Sequence, residues 1–184
     1  VLLWVQRAQR ATWNHAANVA IEIANRLTVP VVAAFCLVPA YPRATWRAYH
    51  FLAEGLQDLP DAFAQRGIGW VLRIGEPDKV IPALAAELGA VAVVTDEDPL
   101  KTGRAWRQRV ADRLPVPLLA VETDVIVPTR YLPNEEWAPR TIRPKLWRRL
   151  DEELTPVPDP AAVVASEVRD GPDPLAAIAQ LPLD

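Results

Sequence analysis

The sequence predicts an α/β fold, in which five parallel strands form a doubly wound sheet with helices on both faces and an extended C-terminal tail. Three observations support this prediction. Short continuous apolar runs, typical of strands buried on both faces, alternate with segments of helical period. Proline or glycine stands at several of the boundaries between them. The alternation of strand and helix favours right-handed crossovers, which produce a parallel sheet.

The apolar runs predicted as strands cover residues 1–5, 29–37, 70–74, 91–95 and 118–121. A first helix follows the first run, because apolar residues recur there at three- and four-residue spacing with polar residues on the opposite side. These apolar residues are Ala16, Val19, Ala20, Ile23, Ala24 and Leu27. Thr12 or Asn14 is the candidate N-cap of this helix.

Three further helices are predicted between the later strands. The second covers about residues 45–66, and Pro60 should kink or divide it because proline removes a backbone donor. The third covers residues 77–88, beginning with proline and ending before a glycine, as helices commonly do. The fourth covers about residues 102–114 and ends before Pro115.

Charge is divided between the body and the tail. Residues 1–149 carry 19 Lys or Arg and 15 Asp or Glu, whereas residues 150–184 carry one basic and eight acidic side chains. A final helix over about residues 140–154 begins as a basic segment, and we expect its face to dock on a second domain rather than on phosphate. Residues 155–184 are predicted to be an acidic, proline-rich linker with one short helix over 161–168. The chain is therefore expected to be the front part of a longer protein.

Composition argues against several classes of protein. No apolar run reaches the roughly 18 residues needed to cross a bilayer, so we expect a soluble protein that makes no membrane contact. Cys36 is the single cysteine and lies in an apolar run, which predicts a buried thiol and a reducing compartment, the cytoplasm. His15 and His50 lie in no metal-ligand motif, so no metal site is expected.

The loop after the first strand is the first place to expect a ligand, because open parallel sheets bind ligands beyond the carboxyl ends of their strands. Residues 6–12 contain no glycine, which argues against the GxGxxG turn of an ordinary NAD or FAD site. Their arginines and glutamines offer long donors to an anionic or planar ligand, and a solvated basic loop is the alternative. Asp96 follows the fourth strand, where it could bind a cation or a ribose or belong to a helix start.

Several segments stand in an order and spacing that carry a family resemblance over residues 1 to about 150. They are Trp4 to Arg10 with Asn14-His15-Ala16; Tyr41-Pro42-Arg43-Ala44 with Arg47, Tyr49, Phe51 and Gly55-Leu56; Asp96 with Pro99-Leu100; Trp106-Arg107; residues 121–128; and Thr141 to Lys145. Each is weak alone. Together they resemble the N-terminal α/β domain of DNA photolyases, in the class II and class II-like branch of the photolyase and cryptochrome family.

The resemblance implies a Rossmann-like fold for residues 1–154 and a linker over residues 155–184 toward a large helical domain. In the family that domain binds FAD and splits cyclobutane pyrimidine dimers in DNA by light-driven electron transfer, and nothing in this chain matches it. The resemblance therefore implies that the chain alone is inactive and meets damaged DNA only through the full-length enzyme. Its expected partner is the helical FAD-binding domain of the same protein.

The role that the resemblance leaves to this domain is to hold an antenna pigment, an 8-hydroxy-5-deazaflavin or a methenyltetrahydrofolate, with neither expected to stay tightly bound. The implied site residues are Gln6, Arg7, Arg10 and Asn14 around the first loop, Phe35 and Leu37 at the end of the second strand, and Asp96 after the fourth. The chain departs from the family at Trp13, where relatives carry an acidic residue, and at Ala17, where they carry leucine. Either change could alter or abolish pigment binding.

A free-standing nucleotide-binding or stress-type α/β module is the alternative function. It requires a glycine-containing phosphate loop, for which Gly75 and Gly103 are the candidates, although neither segment predicts a cradle of successive amides. A sequence-specific nucleic-acid binder is disfavoured by the net charge of -3 and by the lack of a recognition motif.

Overall fold

The computed structural model describes residues 1–181, and their strands form one sheet in which every neighbouring pair is parallel. The strands are β1 (Leu2–Val5), β2 (Val31–Leu37), β3 (Ile68–Ile74), β4 (Val93–Asp96), β5 (Leu118–Val121) and β6 (Arg169–Asp170). Their order across the sheet is β5–β4–β1–β2–β3–β6. The chain winds outward from β1 to β3 and then returns to the other side of β1, so the winding reverses between β1 and β4.

The helices within the described residues are α1 (His15–Leu27), α2 (Trp46–Gln57), α3 (Leu59–Ala64), α4 (Pro77–Glu87), α5 (Lys101–Ala111), α6 (Pro139–Glu153) and α7 (Pro174–Ile178). A single turn of 3-10 helix covers Thr129–Tyr131. Over residues 1–181, no helix combines the length and the apolar character needed to cross a membrane.

Alternate side chains of β1 enter two separate apolar cores, one on each face of the sheet. Leu3 and Val5 pack with residues of α1, α2 and α3, whereas Leu2 and Trp4 pack with residues of α4 and α5. Each such side chain contributes about 1.5–3 kcal/mol when fully buried. Because both faces are covered, the strands read as continuous apolar runs, which is the pattern from which the parallel sheet was predicted.

The helix boundaries follow the local signals in the sequence. Asn14, rather than Thr12, is the N-cap of α1, since its Oδ1 accepts a hydrogen bond from the Ala17 amide at 3.0 Å. The long helix predicted over residues 45–66 is divided at Asp58 into α2 and α3, close to Pro60. The final basic helix, predicted over about residues 140–154, is α6.

The tail departs from the prediction in three respects: it supplies a strand, it lacks the predicted helix over 161–168, and it forms the helix α7 instead. It supplies a sixth strand, β6, which pairs with β3 by placing Arg169 opposite Trp70 and Asp170 opposite Val71. The sheet within residues 1–181 therefore has one more strand than the five predicted. The short helix predicted over residues 161–168 is wrong, since no helix forms there.

Backbone amides of the tail donate to carbonyls of the rest of the domain instead of to carbonyls of a helix. The Ala162 amide donates to the Arg66 carbonyl at 2.9 Å, and the Ser166 amide donates to the Gly67 carbonyl at 3.0 Å. Beyond β6, the short helix α7 buries two side chains in the core that also contains α2.

The strand β6 has only two residues and pairs with a distant segment, so it leaves no periodic pattern in the sequence. Residues 182–184 of the predicted tail lie outside the described residues.

Candidate functional site

A cleft of about 460 Å³ opens above the carboxyl ends of β1 and β2, between α2 and α5. It lies beside the place where the winding of the sheet reverses, which is where open parallel sheets bind their ligands. Its volume falls within the range typical of small-molecule sites. The cleft is therefore the candidate functional site.

One wall of the cleft is apolar. Phe35 and Leu37 reach it from the end of β2, and Ala48 and Leu52 reach it from α2, where four-residue spacing places them on the same side of the helix. An alanine at position 48 leaves room that a larger side chain would fill. This wall suits an uncharged, flat surface of a ligand.

Another part of the lining is aromatic and is held by hydrogen bonds. The buried Tyr49 donates its hydroxyl to the Val38 carbonyl at 2.6 Å and accepts from the Tyr41 amide at 2.9 Å. Tyr41 in turn meets Trp106 of α5 edge to face, with ring centroids 5.7 Å apart and planes inclined by 65°. These contacts join the loop after β2 to α5 and form an aromatic surface on which a planar ring can pack.

Gln6 lines the cleft and carries a buried hydrogen-bond acceptor. Its Nε2 donates to the Thr95 hydroxyl at 2.8 Å and to the Asp96 carbonyl at 3.1 Å, which fixes the side chain. Its Oε1 is buried and accepts no hydrogen bond from residues 1–181. Because buried polar atoms are nearly always paired, a small movement of Gln6 that exposed this oxygen to a ligand N–H or O–H would be stabilised.

Asp98 is fixed on the polar edge of the cleft by the start of α5. Its Oδ1 accepts from the Leu100 amide at 2.9 Å, and the Arg107 guanidinium donates to its carbonyl at 2.6 Å. Gly103 lies against the carboxylate so closely that a Cβ at this position would clash with it. The glycine is therefore required for close packing of Asp98 on the helix, not for a phosphate loop.

Asp96 holds the loop after β1 from inside. Its Oδ1 accepts from the Gln6 amide at 2.7 Å, and its Oδ2 accepts from the amides of Arg7 and Ala8 at 2.6 and 2.9 Å. Asp96 is only 3% exposed. The carboxylate therefore occupies the loop amides that would otherwise be free to bind an anionic ligand.

The two arginines of this loop share one partner, Asp124, in the segment after β5. Arg7 Nε lies 2.9 Å from Asp124 Oδ2, and Arg10 Nη1 lies 3.1 Å from Asp124 Oδ1. Arg10 also donates to the Thr123 carbonyl at 2.6 Å. Their charge is thus partly neutralised, and only Arg7 lines the cleft, whereas Arg10 lies at a separate groove beside Trp13.

The structure brings four of the seven predicted site residues to the cleft: Gln6, Arg7, Phe35 and Leu37. The other three, Arg10, Asn14 and Asp96, support the loop from outside the cleft. Asn14 is 1% exposed, and its amide donates to the carbonyls of Ala8 and Arg10 at 3.2 and 2.8 Å while capping α1. Whether any of the seven contacts a chromophore stays a prediction.

Sequence reasoning missed Tyr41, Tyr49, Asp98 and Trp106 as lining residues. The four-residue spacing of Ala44, which precedes α2, and of Ala48 and Leu52 on α2 was the available signal for the cleft wall. Nothing in the sequence brings α5 against the loop after β2, so the pairing of Tyr41 with Trp106 depends on tertiary structure alone.

Cys36 also lines the cleft and behaves as an apolar side chain. Burial, with a smaller contribution from the Glu76 charge, raises the pKa of the Cys36 thiol far above its usual range. The thiol therefore stays protonated. Within the described part of the chain, no cluster of His, Cys, Asp and Glu side chains is suited to hold a metal ion.

The glycines proposed for a phosphate loop have other roles. The Gly75 amide donates to the Leu37 carbonyl at 3.0 Å and is therefore not free for a phosphate. Gly103 lies inside α5, where it packs on Asp98. The alternative of a nucleotide-binding or stress-type module is not favoured.

Comparison with known proteins gives one consistent family. The family model described as DNA photolyase matches residues 1–163. The deoxyribodipyrimidine photo-lyase of Methanothermobacter thermautotrophicus is 37% identical over 158 residues, which cover 85% of this chain and 35% of that protein. The chain thus spans about a third of the length of this relative.

Two solved structures share the fold. A cryptochrome from Synechocystis sp. PCC6803 has a TM-score of 0.71 at 16% identity, over 94% of this chain and 39% of that one. An archaeal photolyase from Sulfolobus tokodaii, described with two FAD molecules and a novel light-harvesting cofactor, has a TM-score of 0.65 at 16% identity, over 94% and 38%. With the family model matching most of its length, the chain belongs to the DNA photolyase family.

Proposed function

We propose that this chain is the N-terminal α/β domain of a deoxyribodipyrimidine photolyase and that its own role is to hold a light-harvesting chromophore. The observation that carries the proposal is the cleft above β1 and β2, whose aromatic and apolar walls face a short polar edge. A pigment bound there would contribute by passing excitation energy to a flavin elsewhere in the enzyme. The domain itself performs no chemistry.

The lining favours a flat tricyclic ring over an elongated anionic pigment. Tyr41 and Trp106 offer an aromatic surface, and Phe35 and Leu37 offer an apolar wall for a flat ring. A folate with a charged tail would gain less, because Arg7 is already paired with Asp124. We therefore propose 8-hydroxy-5-deazaflavin as the pigment and methenyltetrahydrofolate as the second candidate. A flavin, as in the Sulfolobus tokodaii structure described with two FAD molecules, is of the same tricyclic class.

Catalysis belongs to a helical FAD-binding domain of the same protein, which we place after the tail, since residues 158–178 of the tail are themselves packed on the α/β domain. We propose that α6 forms part of the docking surface for that domain. No residue of α6 is fully buried, and Trp147 on this helix is 67% exposed. Trp137, just before the helix, is 86% exposed. Tryptophan and arginine are the residue types most enriched where proteins dock, and Arg140 and Arg143 accompany these tryptophans.

We place the full-length protein in the cytoplasm, where it would reach damaged DNA through its helical domain. The free, buried Cys36 suits a reducing compartment. The isolated chain is expected to release no stoichiometric FAD when denatured and to repair no pyrimidine dimers in light.

The test of chromophore binding is a fluorescence titration of the purified chain with 8-hydroxy-5-deazaflavin. Ala48→Trp fills the cleft from an exposed position of α2, and Ala111→Trp makes the same change at the far end of α5. We expect saturable binding to the wild-type chain, a loss of about tenfold or more in affinity for Ala48→Trp, and no change for Ala111→Trp. Equal binding to Ala48→Trp and wild type would show that the pigment binds elsewhere.

A further inference from the structure

We propose that Asp159 in the tail is a positioning residue for the cleft: it fixes the conformation of residues 11–13 and, through Arg10 and Asp124, the placement of Arg7 on the polar edge. This inference rests on the proposed chromophore function. It assigns a role in ligand binding to a segment that lies outside the cleft.

The tail crosses the start of α1 and is attached there by a buried arginine. Arg66 is 5% exposed, and its Nε donates to the Pro160 carbonyl at 3.0 Å. Its Nη2 donates to Asn18 Oδ1 at 2.6 Å, and its Nη1 donates to the Ala11 carbonyl. One guanidinium thus joins the tail, α1 and the loop that leads into α1.

Asp159 completes this junction. Its Oδ1 lies 3.6 Å from Arg66 Nη1 and accepts a hydrogen bond from the Trp13 amide at 2.8 Å. Burial lowers the pKa of Arg66, and the negative charge of Asp159 raises it again, so the carboxylate offsets part of the cost of burying the guanidinium. Removing the Asp159 carboxylate would leave Arg66 poorly compensated and the Trp13 amide without its partner.

Trp13 is the residue that needs this support. Its φ angle is +49°, in the left-handed region that a bulky side chain rarely adopts, and its side chain is 69% exposed. The tryptophan therefore gains little from packing. A strained backbone persists only where its surroundings enforce it, and here the surroundings are the carboxylate of the tail and the cap of α1.

A continuous series of contacts leads from Trp13 to the cleft. The Trp13 carbonyl accepts from Arg10 Nε at 3.3 Å, and Arg10 binds one oxygen of Asp124 while Arg7 binds the other. Arg7 then lines the cleft. If the tail releases Trp13, Arg10 loses one of its fixed partners, and the shared carboxylate no longer holds Arg7 in one place.

The test combines hydrogen exchange with chromophore binding in three variants. Asp159→Ala removes the carboxylate, and Asp159→Asn keeps an oxygen that can accept from the Trp13 amide. Asn25→Ala is the matched control, since its side chain binds the tail at the Ala161 carbonyl and the Val163 amide, away from Trp13. Thermal melting of all three variants measures their stability separately.

We expect Asp159→Ala to speed exchange of the Trp13 amide by about tenfold and to weaken deazaflavin binding by roughly fivefold. The absorption maximum of the bound pigment should shift as well. Asp159→Asn should keep most of the wild-type protection of the Trp13 amide and most of the affinity for deazaflavin. Asn25→Ala should change neither quantity, even if it melts at a lower temperature.

Three results would overturn the proposal. The first is unchanged exchange of the Trp13 amide in Asp159→Ala. The second is faster exchange with unchanged affinity and spectrum, and the third is an equal loss of affinity in Asn25→Ala. Either of the last two assigns Asp159 a purely structural role. If the wild-type chain binds no deazaflavin at all, the proposed chromophore function fails, and exchange at Trp13 still decides whether Asp159 orders the loop.

Discussion

The Asp96 carboxylate and the Arg7 amide are joined by a hydrogen bond of 2.6 Å. The amides of Gln6 and Ala8 donate to the same carboxylate, so the amides of the loop after β1 point into the protein and not toward a ligand. In a dinucleotide-binding loop the corresponding amides face a pyrophosphate. The glycine-free loop and Asp96, the last residue of β4, are thus two parts of one arrangement. The loop amides are occupied, so the cleft binds its ligand through side chains.

Asp96 should therefore be needed for stability. Asp96→Asn removes the charge and replaces one carboxylate oxygen with an NH2 group, which cannot accept a hydrogen bond from a loop amide. We therefore expect the free energy of unfolding to fall by roughly 3 kcal/mol. Urea denaturation measures it. Glu97→Gln is the matched control, because the Glu97 carboxylate forms a partly exposed ion pair with Arg107 at 3.5 Å, which should matter little. Equal effects of the two substitutions would contradict the assignment.

Tyr49 should stabilise both the fold and the cleft. Tyr49→Phe leaves the Val38 carbonyl and the Tyr41 amide without their partner, so unfolding should become easier by about 1–3 kcal/mol. Deazaflavin binding should weaken as well, because Tyr41 loses its anchor. Tyr131→Phe removes a hydroxyl whose hydrogen bond, within residues 1–181, comes from the exposed Arg130 at 3.2 Å, so melting temperature and affinity should stay nearly unchanged. A Tyr49→Phe protein as stable as the wild type would be a failure of this prediction.

Cys36 should resist thiol reagents in the folded protein. Burial raises the pKa of its thiol, so at pH 8 almost no thiolate exists, and labelling by an aromatic disulfide reagent should become fast only after addition of urea. The same shift has a consequence for stability. The neutral thiol is favoured in the folded state, so the free energy of unfolding should fall as the pH rises above about 8.5, the ordinary pKa of cysteine. Cys36→Ser should lack this component of the pH dependence, and rapid labelling without urea would contradict the burial.

The two arginines of the loop should differ in their effect on binding. Arg7→Ala removes a donor from the edge of the cleft and should weaken deazaflavin binding by about fivefold to tenfold. Arg10→Ala acts indirectly, through Asp124 and the carbonyls of Thr123 and Trp13, and should weaken binding less. Fluorescence titrations compare the two variants directly. A larger effect of Arg10→Ala would mean that the ligand lies in the groove beside Trp13 instead.

The sheet was predictable from the sequence because its strands are covered on both faces. Continuous apolar runs such as residues 29–37 and helix signals such as Pro77 and Gly89 are local features of the sequence. They can be recognised without knowledge of the tertiary contacts. The strand β6 was not predictable, since its two residues pair with β3 through a partner about a hundred positions away. Its pairing depends on the Arg66 region that receives the tail.

The site was predictable only in part for the same reason. Gln6 and Arg7 follow β1 directly, so their position at the carboxyl end of the sheet followed from the topology. The role of Asp96 as a partner of the loop amides depends on distances that no spacing reveals. Trp106 reaches the cleft only because α5 packs beside the loop that carries Tyr41.

The measurement that tests the central claim most directly is an NMR spectrum of the chain with ring-labelled tyrosine, recorded with and without 8-hydroxy-5-deazaflavin. The chain has three tyrosines. Tyr41 and Tyr49 line the cleft, and Tyr131 lies in the 3-10 turn after β5 as an internal control. A chromophore in the cleft should shift the resonances of Tyr41 and Tyr49 in a saturable manner and leave Tyr131 unchanged. Three unchanged resonances at saturating pigment, or a shift of Tyr131 alone, would contradict the proposal that this domain binds its chromophore in the cleft.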